Sequence, residues 1–275
     1  PICARERPVK MNEQKVYDGA PGVRAERLSM SYGRTAPLIL DSVDVSFPAG
    51  KFSAIIGPNG CGKSTLVKVL ARLETPSAGA VHIGQEDAAL LSRRKYAQRV
   101  AVMSQQSVAP EGINVRELVA RGRFAHQGFM GWRSQEDERA VSRALAEVGL
   151  EELEEAEVAA LSGGQRQRAW LAMALAQETP VLFLDEPTSA LDIGYQHSFM
   201  KLMKELAGSK TLVAVIHDLA HVLRYADYVV AMKDGTVWDA GAPRDVINPA
   251  LIEDLYGLAV RVVNADGEPA IVPVG

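Results

Sequence analysis

Apolar residues occur along this chain in short runs of two kinds, and these runs predict the order of its strands. Four runs of β-type composition surround the first helical segment, at residues 23–30, 43–47, 52–56 and 80–83. They predict a small antiparallel layer that leads into a core strand. Three later runs show no alternation of apolar and polar residues, at 100–103, 181–184 and 212–216. This pattern is typical of strands covered on both faces, so we expect an α/β fold with a mainly parallel core sheet.

The segments between and after these runs complete the predicted domain. A long, mostly helical stretch separates the strands near residues 100 and 181, and it predicts a helical subdomain over about residues 106–177. Asp234-Gly235 lies between two β runs and predicts a hairpin. A short helix near 250–256 and a strand near 260–263 follow. We therefore expect a mobile tail over 1–22, one domain over 23–265 and a carboxyl-terminal tail over 266–275.

Composition limits the class of protein without identifying it. The chain has 275 residues, 47% of them apolar, which is enough for one domain with a sizeable core. A formal charge of −4 gives no overall attraction to nucleic acid or anionic lipid. The two cysteines, Cys3 and Cys61, form no disulfide framework, so we expect a cytosolic protein. No apolar run approaches the length of a bilayer-spanning helix, so any membrane path is expected to come from another chain.

A glycine-rich segment after the run at 52–56 predicts a phosphate-binding loop. It fits the pattern G-x-x-x-x-G-K-[ST] and precedes a helical segment that starts at Thr65; its residues are Gly57, Pro58, Asn59, Gly60, Cys61, Gly62, Lys63 and Ser64. Glycines let backbone amides surround a phosphate, and the helix amino terminus adds partial positive charge. Lys63 is expected to reach the outer phosphates, and the Ser64 hydroxyl to bind Mg²⁺.

Two adjacent carboxylates, Asp185 and Glu186, end the apolar run at 181–184. Such a pair is often only a solvated strand end, but here the phosphate loop precedes it. The carboxyl ends of parallel strands meet at one edge of a sheet, so we expect the pair near that loop. Asp185 would then hold Mg²⁺, and Glu186 would orient and deprotonate the attacking water.

A third motif precedes the helix expected over 165–176. It comprises Leu161, Ser162, Gly163, Gly164 and Gln165. Ser162 is a suitable N-cap, the two glycines permit close backbone approach, and the helix amino terminus can face an anion. A capped helix alone would explain the serine, but not the whole string.

Together these motifs resemble the ATP-binding cassette family over about residues 23–263. The resemblance implies ATP and Mg²⁺ as ligands, and a dimer of two copies that encloses each ATP between one phosphate loop and the partner's residues 161–165. It implies that Gln105 links Mg²⁺ and the attacking water to the helical region, with Gln106 as the competing position. Asp192 would belong to the loop that crosses the dimer interface. His217 would contact the γ-phosphate, and Tyr32 would stack on adenine.

His217 also has an alternative interpretation. It lies four residues before His221, which is the spacing of a metal-binding pair on a helix. No third ligand is indicated, so we favour the phosphate-sensing role that the resemblance implies.

Three further segments resemble the ATPases of iron(III)-siderophore importers, with haem and cobalamin importers as close relatives: 119–128, 166–170 and 174–180. Residues 121–128 can alternatively be a surface loop without substrate information. Ser189-Ala190 and Cys61 depart from the pattern of those ATPases, which weakens the substrate assignment but not ATP hydrolysis.

The resemblance also implies partners and a location. The partners would be integral-membrane permease subunits and, indirectly, a substrate-binding protein, with this chain peripheral on the cytoplasmic face of the inner membrane. An exporter is an alternative, as is a soluble ATPase of this family that acts on nucleic acid or ribosomes. The latter is disfavoured because the chain carries one cassette and no sustained heptads between Lys63 and Leu161, so we expect no nucleic-acid partner.

Overall fold

A computed structural model describes residues 20–33, 35–104, 109–127, 134–189, 191–265 and 268–274. The strands are β1 Val23–Met30, β2 Leu40–Phe47, β3 Phe52–Ile56, β4 Ala78–Ile83, β5 Glu86–Asp87, β6 Val100–Met103, β7 Val181–Leu184, β8 Thr211–Val215, β9 Tyr228–Lys233, β10 Thr236–Gly241, β11 Val260–Ala265 and β12 Glu268–Pro273. The α-helices are α1 Lys63–Leu70, α2 Arg93–Ala97, α3 Val115–Ala120, α4 Gln135–Val148, α5 Gly163–Ala176, α6 Ile193–Leu206, α7 Leu219–Tyr225, α8 Pro243–Val246 and α9 Pro249–Tyr256.

The core is a six-stranded sheet in the order β10-β9-β3-β8-β7-β6. Five of its strands run parallel, and β10 pairs antiparallel with β9 through the predicted Asp234-Gly235 turn. Every residue of β3, β7 and β8 is buried, as expected for strands covered on both faces. This arrangement confirms the predicted α/β class and its mainly parallel sheet.

A second sheet in the order β2-β1-β4-β5 forms the antiparallel layer. Its inward residues, among them Leu28 and Phe47, pack with Leu66 of α1 and with one face of the core sheet. The short strand β5 pairs with β4 over only two residues, so its sequence carries no detectable period. Strand β2 of this layer precedes β3 in the chain, so the layer leads directly into β3 and the glycine-rich loop after it.

Three helices, α3, α4 and α5, lie between β6 and β7 and pack on one another. A capping box begins each of them, with Asn114, Ser134 and Ser162 as the N-cap residues. A buried ion pair ties the segment together, since Arg123 Nε donates to Asp137 Oδ1 at 2.8 Å and both side chains are about 5% exposed. None of the helices in the described ranges has the length and apolar character needed to cross a bilayer.

The carboxyl-terminal segment differs from the predicted tail over 266–275. Residues of β12 pair antiparallel with β11, and the hairpin packs beside α7. The sequence did not predict this strand because it contains Pro269 and Pro273, and proline is excluded from central strands and tolerated only at sheet edges. A two-stranded sheet consists of edges only, so the prolines fit there.

Candidate active site

The phosphate loop lies where its sequence predicts, between β3 and α1. Gly57 has φ +145°, and a Cβ atom there would lie 2.2 Å from the carbonyl oxygen of Met232. Gly62 has φ +101° and occupies the N-cap position of α1. Both positions therefore require glycine, because a side chain would either collide with the backbone of β9 or be strained at positive φ.

Lys63 is buried, with 5% of its surface exposed. Its Nζ donates to the carbonyl oxygens of Gly57 and Pro58, at 2.8 Å each. These two acceptors are neutral carbonyls, and an anion that enters the loop can replace them. The Lys63 ammonium therefore already lies across the loop, where its positive charge can bind a phosphate.

Asp185 directly follows β7 and lies against the first turn of α1. The Ser64 hydroxyl donates to Asp185 Oδ1 at 2.8 Å, and the amide of Asp185 donates to the carbonyl of Met103 at 2.9 Å. Burial raises the pKa of this carboxyl, while the bond from Ser64 acts in the opposite direction. A hydroxyl and a carboxylate side by side form an oxygen donor set that suits Mg²⁺, so these residues fit the expected ion.

Glu186 and His217 meet at the same edge of the sheet, because β7 and β8 are neighbours. Glu186 Oε1 lies 2.8 Å from His217 Nε2, and the glutamate backbone has φ +51°. A non-glycine residue in this region is uncommon and fits a functional position.

The alternative metal pair of His217 and His221 is not formed. His217 precedes α7, whose N-cap is Asp218, so the two histidines do not share a helix face. His221 Nδ1 instead lies 3.6 Å from Asp218 Oδ2. Within the described ranges, His, Cys, Asp and Glu side chains form no cluster of three or more that could hold a metal ion.

Ser162 of the motif at 161–165 is the N-cap of α5, as predicted, but the helix begins at Gly163 rather than at Gln165. The amide of Gln165 donates to Ser162 Oγ at 3.3 Å, and the amide of Ser162 donates to Gln165 Oε1 at 3.0 Å. Ser162 and Gly163 are exposed, whereas Leu161 and Gly164 are buried. Among the described residues, no hydrogen bond joins this motif to the phosphate loop of the same chain.

Two contacts that the sequence did not predict link the first turns of α5 to α6 and to the loop after Glu186. A Cβ atom at Gly164 would lie 2.8 Å from Cδ1 of Tyr195 in the first turn of α6. In α5, Gln167 Nε2 donates to the carbonyl of Pro187 at 2.7 Å. Asp192 is the N-cap of α6 and accepts from the amide of Tyr195 at 3.0 Å. Neither Gln167 nor Tyr195 carries a sequence signal, because these are contacts between helices distant in the chain.

The remaining predicted residues lie around the loop or outside the described ranges. Tyr32 follows β1 and is 54% exposed, so its ring is accessible for stacking. Asn59 and Gly60 are exposed at the tip of the loop, and Thr65 is buried in α1. Gln105, with its competitor Gln106, lies outside the described residues.

The described geometry gathers a phosphate loop, a buried aspartate, a glutamate and a histidine at one sheet edge. A comparison with known families agrees with this arrangement, since the ABC transporter family model matches residues 40–189. The chain belongs to the ABC transporter family. It is an ATP-binding subunit of the class that couples ATP hydrolysis to transport.

Individual relatives match over nearly the whole chain. The ferric enterobactin transport ATP-binding protein FepC of Escherichia coli strain K12 is 44% identical over 92% of this chain and 94% of that protein. The probable siderophore transport system ATP-binding protein YusV of Bacillus subtilis strain 168 is 40% identical over 94% of each.

Solved structures are similar as well. One is described as an inward-facing conformation of a metal-chelate type ABC transporter, with a TM-score of 0.80, 26% identity, and coverage of 93% of this chain and 98% of that chain. The dimeric bacterial ABC transporter cassette MJ0796 has a TM-score of 0.71 and 28% identity, and covers 81% of this chain and 99% of its own.

Proposed function

We propose that this chain is the ATP-hydrolysing subunit of an importer for iron(III)-siderophore chelates. The observation that carries the proposal is the 44% identity to the ferric enterobactin ATP-binding protein across 92% of this chain and 94% of that one. Achromobactin and iron(3+)-hydroxamate ATP-binding proteins match at 43% and 40% identity. A cobalamin import protein also reaches 40% identity, but the match spans only 60% of its length.

In this proposal, two copies of the chain enclose two ATP molecules. Each site combines residues 57–65, Asp185 and Glu186 of one copy with residues 162–165 of the other. The exposed Ser162 and Gly163 at the amino terminus of α5 support this pairing, because they are open to a second chain. The dimeric form of the similar cassette MJ0796 supports it too.

Residues of the phosphate loop bind and orient the nucleotide. Lys63 exchanges the carbonyls of Gly57 and Pro58 for the outer phosphates, and the amino terminus of α1 faces the anion. Ser64 and Asp185 would hold Mg²⁺, with Gln105 proposed as a further ligand. The bound ion would neutralise charge on the β- and γ-phosphates.

Glu186 acts as the general base. Its carboxylate accepts a proton from the water that attacks the γ-phosphorus, and the bond from the γ-phosphorus to the bridging oxygen of ADP breaks. His217 holds that carboxylate in place through the 2.8 Å contact and contacts the γ-phosphate. Tyr32, which is half exposed, stacks on the adenine.

The proposed partners are two integral-membrane permease subunits, which dock near Gln105 and the helices between β6 and β7. A substrate-binding protein delivers the chelate on the opposite side. This chain is then peripheral on the cytoplasmic face, and closure of the ATP-bound dimer pulls on the permease.

The test is transport by the reconstituted complex. The chain is purified with the permease that co-purifies from detergent-solubilised membranes, and is placed in proteoliposomes with ATP inside and the substrate-binding protein outside. We expect uptake of ⁵⁵Fe-labelled siderophores that excess cobalamin and haem do not suppress, and we expect the matched Glu186→Gln complex to show none. Uptake of cobalamin or haem with no uptake of any ferric siderophore would overturn the substrate, and ATP-driven efflux would overturn the direction.

A further inference from the structure

A tyrosine near the carboxyl terminus reaches the first residue of the phosphate loop. The amide of Gly57 donates to the hydroxyl of Tyr256 at 3.1 Å, across a sequence separation of 199 residues. Tyr256 is the last residue of α9, and none of the motifs described above includes it. The contact therefore joins the nucleotide loop to a helix that has no assigned role in ATP binding.

The amide of Gly57 needs this acceptor. Gly57 is buried where the chain leaves β3, and a buried N–H without a partner is costly. A Cβ atom at Gly57 would lie 2.2 Å from the Met232 carbonyl oxygen and 2.9 Å from Cys61 Sγ, so the start of the loop is pressed against β9. The position of Gly57 is thus fixed by β9 on one side and by the Tyr256 hydroxyl at its amide.

The helix that presents Tyr256 is itself firmly held. Asn248 caps its amino terminus by accepting from the amide of Leu251 at 3.0 Å, and Gly257 ends it in the left-handed conformation. Lys233 at the end of β9 donates from Nζ to the carbonyl of Asp254 at 2.8 Å. Three apolar residues of α9 are buried in the main core: Leu251, Ile252 and Leu255. The Tyr256 hydroxyl is therefore positioned by a helix, α9, whose two ends and apolar face are fixed.

A second hydrogen bond holds the middle of the loop, and its donor also lies in the carboxyl-terminal part of the chain. The amide of Gly235, in the β9–β10 turn, donates to the carbonyl of Cys61 at 3.1 Å. A Cβ atom at Gly235 would lie 2.6 Å from the carbonyl oxygen of Ile39, so the turn is tightly packed. The loop is thus held from outside at both Gly57 and Cys61, by elements that follow β8.

We propose that Tyr256 is a positioning residue for ATP binding, which keeps the empty phosphate loop in its binding-competent shape without touching the nucleotide. The inference rests on the proposed role of residues 57–65 as the ATP site. Burial raises the pKa of the Tyr256 phenol to about 12, so at physiological pH the hydroxyl stays neutral.

Removal of the hydroxyl leaves the Gly57 amide unpaired and lets the free loop sample other shapes. Apparent affinity falls in proportion to the binding-competent fraction, so a fraction of about 0.1 to 0.3 weakens ATP binding about three- to tenfold. Once ATP occupies the loop, its phosphates restore the shape. We therefore expect kcat at saturating ATP to change less than about twofold, with the loss confined to Kd and KM.

The experiment compares Tyr256→Phe with a matched Tyr225→Phe control. Tyr225 is buried whereas Tyr256 is 38% exposed, but the Tyr225 hydroxyl likewise forms a hydrogen bond, at 2.6 Å to His197 Nδ1 rather than to the phosphate loop. Calorimetric titration with ATPγS and Mg²⁺ should show the three- to tenfold loss in Tyr256→Phe alone. An affinity within about 1.5-fold of wild type, or a loss of kcat with unchanged affinity, overturns the proposal.

A second measurement covers the case in which Tyr256→Phe does not fold. Hydrogen exchange on the nucleotide-free wild type should show a slowly exchanging Gly57 amide, and rapid exchange there overturns the proposal. The proposed ATP site and the proposed role of Tyr256 can be refuted separately. If wild type does not bind ATPγS, the proposed ATP site is wrong, whereas equal binding by wild type and Tyr256→Phe removes only the role of Tyr256.

Discussion

The contact between Gly164 and Tyr195 predicts how one methyl group changes stability. Alanine at an exposed helix position is favoured over glycine by about 0.5 to 1 kcal/mol. At Gly164, however, the added Cβ would lie 2.8, 2.9 and 3.1 Å from three ring carbons of Tyr195. Carbon atoms in contact are normally about 3.5 to 4.0 Å apart, so the ring or the start of α5 must move by about 0.5 Å or more.

The backbone of Tyr195 is held in place, because its amide donates to Asp192 Oδ1 at 3.0 Å. Tyr195 is 38% exposed and the Arg168 guanidinium lies 5.7 Å from its ring centroid, so relief of the overlap requires the ring to rotate and disturb this contact. Overpacking of this kind costs about 1 to 3 kcal/mol. After the gain in helix propensity of about 0.5 to 1 kcal/mol is subtracted, we expect Gly164→Ala to lower the free energy of unfolding by up to about 2.5 kcal/mol.

Urea unfolding of the nucleotide-free protein, followed by circular dichroism, measures this change without contributions from ATP-driven dimerisation. Gly163→Ala is the matched control, since Gly163 is the exposed neighbour in the same helix, and we expect it to leave the free energy of unfolding unchanged or to raise it by up to about 1 kcal/mol. In a Tyr195→Ala background the space is open, so Gly164→Ala should become neutral or stabilising. An equal loss with and without the Tyr195 ring refutes the steric reasoning.

Three further changes test other parts of the site. Glu186→Gln should retain ATP binding, accumulate an ATP-bound dimer on size exclusion and lose about 10²- to 10⁴-fold in phosphate release; undiminished release contradicts the general-base role. Burial raises the folded-state pKa of Asp185, so its charged form destabilises the folded protein as pH rises above the usual aspartate range. Asp185→Asn should therefore raise the melting temperature without nucleotide at pH 7 and abolish the further rise caused by Mg²⁺ and ATP, and a lowered melting temperature argues against this. Arg123→Ala leaves Asp137 buried without its partner and should cost about 3 to 5 kcal/mol in urea unfolding; a cost below about 1 kcal/mol shows that the pair is not structural.

The fold was largely predictable because its strands are short apolar runs with clear ends. The continuous burial of β7 and β8 follows from the absence of alternation in their sequences, and their parallel pairing follows from the helices between strands. Two strands escaped prediction for local reasons. β5 is only two residues long, and β12 contains prolines that normally argue against a strand.

The site was predictable to the extent that its residues belong to motifs. The Ser64 contact with Asp185 and the capping box at Ser162 agree with the spacing and residue types in the sequence. The supporting contacts of Tyr256 and Tyr195 were not predictable, because each depends on which helix ends meet in three dimensions. A single tyrosine near a helix end has no pattern that distinguishes it from any other.

The place of β3 in the core sheet has a consequence for how the protein is synthesised. This strand carries the phosphate loop, and its two neighbours are β8 and β9, which the ribosome makes more than half a chain later. Folding rates fall when partners are distant in sequence, and translation adds about 5 to 20 residues per second. A nascent chain that ends before β8 therefore has a nucleotide-loop strand with neither neighbour, and ATP cannot assist its early folding. Nearly the whole polypeptide must emerge before the nucleotide pocket can assemble.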